Sequence, residues 1–179
     1  MDELLERHRR ACDGFAQVAH TVPAGGWDAP SPCAEGDARA VVEHVIGFHE
    51  LLVLRPLGVR AHRPRQGPAE RWDATATALF AALGAQGALD RTTELPGGGT
   101  NTPRAVLDTL TTEMLVHTWD LARATGGDEH LDEELVAHTL AQMRPLDEAL
   151  RGHGFADKVP VDAGADAQTE LLCFLGRQP

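Results

Sequence analysis

Residues 102–126 read TPRAVLDTLTTEMLVHTWDLARATG, and this stretch decides the fold. Thr102 is a helix-capping type and Pro103 has the fixed φ favoured at a first helical position, while Gly126 and Gly127 close the run. Between these signals Val106, Leu110, Glu113, His117, Leu121 and Ala124 recur in steps of four, three, four, four and three. That spacing puts them on one core-facing stripe of an α-helix. Two polar residues, Glu113 and His117, sit in the middle of the stripe, one turn apart, where their side chains can converge on one point.

A second segment repeats the anomaly. Pro30 and Pro32 keep the stretch from Trp27 to Gly36 extended, and Asp37 caps a helix expected to run to about Leu57. On it Val41, His44, Val45, Phe48, Leu51 and Leu52 share a face on which His44 alone is polar, whereas His49, five residues from His44, is expected to point off that face. A buried carboxylate is costly unless it is paired, protonated or bound to a metal, so Glu113 requires a partner. Two neutral imidazoles and a carboxylate suit a divalent ion such as zinc, and bundle cores are where facing helices deliver such ligands. The competing reading is a core in which His44 and His117 hydrogen-bond to backbone or to Glu113.

The rest of the chain is helical in pattern. Leu4, Leu5, His8, Ala11, Cys12, Phe15, Ala16 and Ala19 form a stripe over residues 2–20. Trp72, Thr75, Ala76, Leu79, Phe80 and Leu83 make a third helix after a loop over 58–69. Leu89 to Leu95 reads as a short extended piece. A fifth helix is expected over Asp132 to Arg151, with Leu135, Thr139, Gln142, Leu146 and Leu150 on one face, and a last short one over Ala167 to Leu175. With aromatic residues at 4% and few β-branched runs, the fold class is all-α: a four-helix bundle with extra short helices. At 179 residues, residues 1–179 are expected to form a single domain.

Composition narrows the function. A formal charge of −11 repels phosphate backbones and anionic membrane surfaces, so neither nucleic acid nor a membrane is an expected partner. The start MDELLERHRR is charged with no apolar stretch behind it, and no run approaches a bilayer span, so a cytoplasmic location is expected. Cys12, Cys33 and Cys173 are odd in number and widely spaced, which argues against a disulfide framework, and Cys33 beside Pro32 reads as a small buried hydrophobe. The basic loop holding Arg55, Arg60, His62, Arg63, Arg65 and Arg71 reads as solvated charge. Asp120, three residues after His117, is a candidate to orient a ligand, against a surface pair with Arg123.

The wording of three segments adds to this. Ser31-Pro32-Cys33-Ala34-Glu35 followed by residues 37–47 (DARAVVEHVIG), residues 112–126 (TEMLVHTWDLARATG), and the ending Leu175-Gly176-Arg177 together resemble the DinB-like metal-binding proteins of actinobacteria. That group is related to the N-terminal domain of mycothiol-dependent maleylpyruvate isomerase. The resemblance covers nearly the whole chain and implies a DinB-like bundle whose metal ligands land on His44, Glu113 and His117. It also implies mycothiol as cosubstrate, with the metal activating the thiol for S-transfer or isomerisation of a small-molecule substrate. The family usually carries a Trp where this chain has Gly36. Zinc is favoured by ligand type, with nickel and iron as alternatives. A hydrolase using a metal-bound water and a non-enzymatic metal- or small-molecule-binding protein are the other readings, and a homo-oligomer is compatible with all of them.

Overall fold

Five of the helices begin where a side chain accepts from a free N–H of the first turn. Asp2, Asp37, Thr102, Asp132 and Asp166 accept from Leu5, Ala40, Ala105, Leu135 and Thr169 respectively, each three residues on. In the computed structural model, which describes residues 2–33, 36–95, 98–147 and 157–179, these caps start five of the six α-helices bounded among the described residues. They are α1 (Glu3–Thr21), α2 (Ala38–His49), α3 (Pro68–Leu83), α4 (Pro103–Thr125), α5 (Glu133–Met143) and α6 (Ala167–Phe174). A two-residue antiparallel hairpin, β1 (Thr93–Glu94) with β2 (Thr100–Asn101), lies between α3 and α4. The fold is all-α.

α1, α2, α3 and α4 form the bundle: α4 packs against α1 and α2, and α3 packs against the same two from the other side. α5 lies against α4 and carries α6 on it. α4 is the central element, buried almost all round from Met114 to Ala122 rather than along one stripe, because helices cover it on several sides. The core is closed by Phe15 edge-on to Trp72 at 5.3 Å, with Trp119, Leu110 and Leu121 buried on α4.

Three expectations change. α2 ends at His49 and continues as a π turn over Glu50–Leu54, a wider winding that alters the register of the residues beyond it. α2 also buries Val42, Ile46 and His49 as well as Val41 and Val45, since it is covered by both α3 and α4; His49 lies off the face of His44, as expected, and is itself fully buried. On α5 the buried face is Leu135, Val136, Thr139, Leu140 and Met143, leaving Gln142 and Leu146 exposed, and the α-helical winding gives way to a 3-10 turn over Arg144–Leu146. Leu150 and Arg151 lie outside the described residues. Among the described residues, no helix is long and apolar enough to cross a membrane.

Burial of His8 and His49 makes stability depend on pH. Removal from water lowers the pKa of His49 from 6.5 to about 4 and lowers that of His8 well below its ordinary value. The unfolded chain therefore binds protons that the native state refuses, so stability falls as pH drops below about 6.5. For His49 alone the expected loss between pH 7 and pH 5 is about 2 kcal/mol in metal-free protein. Denaturant midpoints at the two pH values read it, and equal midpoints would contradict neutral buried imidazoles.

Candidate metal centre

α2 and α4 bring the three inward polar residues to one point. His44 Nε2 lies 3.3 Å from Glu113 Oε2, and His117 Nε2 lies 3.2 Å from the same oxygen. The imidazole rings meet edge-on, centroids 4.7 Å apart. An ion with bonds of about 2.0–2.2 Å to nitrogen and oxygen in tetrahedral geometry spaces its donors by about 3.3–3.5 Å, close to both His–Glu113 distances, and all three donors lie within 4.8 Å of one another. The site opens on one side: the His44 side chain is 28% exposed and Glu113 17%, against 4% for His117.

Behind His117 runs a second set of contacts. Its Nδ1–H donates to Asp120 Oδ2 at 3.0 Å, which turns Nε2 toward Glu113. Asp120 is fully buried and accepts from Arg177 at both oxygens, 2.9 Å from the terminal nitrogen and 3.3 Å from Nε. Arg123, the alternative partner for Asp120, instead pairs with Glu129 at 2.8 Å and lies over the Trp119 ring.

Arg177 reaches Asp120 because of how α6 ends. Gly176 has φ 83, and its N–H bonds to Cys173 O at 3.1 Å while the Arg177 N–H bonds to Leu172 O at 2.8 Å. This is a Schellman turn, which needs the left-handed residue that glycine supplies without strain. The Leu175-Gly176-Arg177 ending is thus a device for returning one guanidinium to the buried carboxylate under the site.

The electrostatics follow from these partners. Burial works against the Glu113 carboxylate, yet hydrogen bonds from His117 and His44 and their charge hold its pKa at about 2. Burial likewise opposes a charged His117, but Asp120, Cys33 and Glu113 outweigh it and raise its pKa well above the ordinary value. Asp120 is lowered despite burial by His117 and Arg177. A proton between His117 and Glu113 occupies the position that a divalent cation takes in their place.

Sequence reasoning placed His44, Glu113, His117 and Asp120, and the structure brings all four together. It did not place Cys33 there. Cys33 is buried, as expected, but its Sγ lies beside His117 and 3.0 Å from Ser31 Oγ. Cys33, His117 and Asp120 also cluster within 4.8 Å, but Asp120 and the Nδ1 of His117 are spent on hydrogen bonds, whereas the donors of His44, Glu113 and His117 face a common point. Gly36 has φ 113 and closes a turn in which Ser31 N–H bonds Gly36 O at 2.7 Å, so a Trp at this position would be strained on this backbone. Of the basic loop, Arg55 and Arg63 bond Glu50 at 3.2 and 2.7 Å and Arg71 pairs with Glu43, so much of its charge is neutralised locally.

Comparison with known proteins identifies a family. Residues 8–122 match the family described as the mycothiol maleylpyruvate isomerase N-terminal domain. Uncharacterized proteins from two strains of Mycobacterium tuberculosis are each 36% identical over 187 aligned residues, covering 99% of this chain and 98% of the relative. No solved structure matches the chain.

Proposed function

Because the chain belongs to the mycothiol maleylpyruvate isomerase N-terminal domain family, we propose that it is a metal-dependent enzyme that activates a low-molecular-weight thiol, mycothiol, for S-transfer to or isomerisation of a small electrophilic substrate. His44, Glu113 and His117 would hold one divalent ion, zinc by ligand type. The observation that carries this reading is the convergence of three donors on one point with an exposed flank beside His44. A bound divalent ion lowers the pKa of a coordinated thiol, so that the thiol reacts as thiolate near neutral pH.

The chain's own residues divide the remaining work. Asp120, anchored by Arg177, fixes the tautomer and orientation of His117. Glu113 stays ionised and supplies the negative charge that a divalent cation needs. Asp120 is fully buried behind His117 and tied to Arg177, so it is not positioned to take a proton from an attacking water. That favours thiol activation over hydrolysis, because a thiolate attacks without a further base.

The test is conjugation of mycothiol to monochlorobimane by zinc-loaded protein. We expect metal-dependent acceleration that disappears in His44→Ala. Metal-dependent ester or amide hydrolysis without any thiol transfer would replace this reading with the hydrolase. Bound metal with no acceleration across several electrophiles would leave a binding protein.

A further inference from the structure

A second cluster of metal-ligating side chains lies in the core, away from the open centre and independent of the function proposed for it. His8 and Cys12, one turn apart on α1, meet His49 at the end of α2, and all three are buried to 1% exposure or less. His8 Nε2 lies 3.3 Å from His49 Nε2 and 3.5 Å from Cys12 Sγ, and the three donors all fall within 4.8 Å of one another. Phe80 and Trp72 pack on the two imidazoles, with centroids at 6.0 and 5.3 Å.

The hydrogen bonds around the cluster limit where its protons can be. His49 Nδ1 lies 2.7 Å from Val45 O, a carbonyl that can only accept, so Nδ1 carries the proton and Nε2 a lone pair. While Thr111 donates its hydroxyl to Leu107 O at 2.8 Å, the 3.1 Å contact from His8 Nδ1 to Thr111 Oγ1 is an N–H donation, and His8 Nε2 carries a lone pair as well. Two imidazole lone pairs then face each other at 3.3 Å, with a thiol beside them. Metal-free, the contact is satisfied only if Thr111 turns its proton from Leu107 onto His8 Nδ1, freeing His8 to donate to His49. A cation satisfies all three donors with every existing bond left in place.

We propose that His8, Cys12 and His49 form a second, fully buried three-donor site for a thiophilic d10 cation, zinc or cuprous copper, that ties α1 to α2. Donors bound to one ion at about 2.0–2.1 Å for nitrogen and about 2.3 Å for sulfur stand about 3.3 Å apart between nitrogens and about 3.5 Å apart between nitrogen and sulfur. Binding breaks the Cys12 S–H bond, forms the sulfur–metal bond and releases the proton to solvent. Thiolate and imidazole donors select these ions, and one thiolate with cuprous copper is a neutral group, which a dry core accommodates. Unlike the centre at Glu113, this site is wholly buried, so its role is structural and the ion enters as the chain folds.

The experiment uses His44→Ala/Glu113→Gln/Cys33→Ala protein, which removes the open centre and its neighbouring thiol. It is refolded separately with zinc(II), with copper(I) under anaerobic conditions and with cobalt(II) as a spectroscopic probe, then desalted. We expect about one ion per chain retained from zinc or copper, and a cobalt–thiolate charge-transfer band. Retention should fall at least about tenfold in Cys12→Ala and in His49→Gln, and the band should vanish in Cys12→Ala. Should Cys12→Ala fail to fold, His49→Gln, with the thiol intact, decides by the same loss. No ion retained in any arm, or retention unchanged in both variants, overturns the proposal.

Discussion

Glu113→Gln is expected to fold as the wild type does and to bind zinc at the open centre more than about 100-fold less tightly, since loss of an outer contact alone typically costs 10- to 100-fold. Glutamine keeps the shape of the side chain and removes its charge, the one negative charge held between His44 and His117. In the wild type, zinc at about 100 times its Kd adds about 2.7 kcal/mol to stability. For a chain of this size that raises Tm by about 5–10 °C. The shift should be absent in Glu113→Gln. It is read on protein folded with chelator and then given zinc, so that the solvent-open centre loads while the buried His8, Cys12 and His49 group stays closed. An equal zinc shift in the variant would remove Glu113 from the ligand set.

Arg177→Ala is expected to destabilise the protein by about 3 kcal/mol, although the residue lies two positions from the C-terminus. The substitution takes away both guanidinium bonds to Asp120 and leaves a fully buried carboxylate with His117 as its remaining partner here. An uncompensated buried charge is far more costly than a broken surface pair. The corresponding fall in Tm is about 6–12 °C. Zinc affinity should drop about tenfold as well, because Asp120 no longer holds His117 in one orientation. Arg177→Lys should rescue little, since a single ammonium cannot reproduce the two-point contact. A loss below about 0.5 kcal/mol, the range of an ordinary surface substitution, would contradict this role.

Most of the bundle was legible because its helices are capped and periodic. Asp37, Thr102 and Pro103 start helices where their residue types predict, and Glu113 and His117 face inward because the steps of three and four leave them no other direction. The resemblance on residues 112–126 and at Gly176-Arg177 then turned an inward-facing trio into a named ligand set. What stayed hidden depends on contacts between distant segments. Single-face periodicity underestimates an element covered on several sides, which is why His49, off the face that His44 shares, is nonetheless buried against His8 and Trp72. Arg177 is 57 positions from Asp120. A local reading offered Arg123 instead, because no spacing rule connects the end of α6 to the middle of α4. The Leu-Gly-Arg ending contained the signal: glycine after a short helix announces a Schellman turn, and the following Arg is then directed back along the helix. Cys33 gave no such signal, since its placement beside His117 is set by the turn that Gly36 closes.

The claim that His44, Glu113 and His117 hold a metal is tested most directly by anomalous diffraction from crystals of zinc-loaded protein, recorded on both sides of the zinc absorption edge. The expected result is an anomalous peak about 2.0–2.2 Å from His44 Nε2, Glu113 Oε2 and His117 Nε2. Zinc-saturated crystals with no peak between these atoms, or with the ion instead bonded to Cys33 and Asp120, would contradict it.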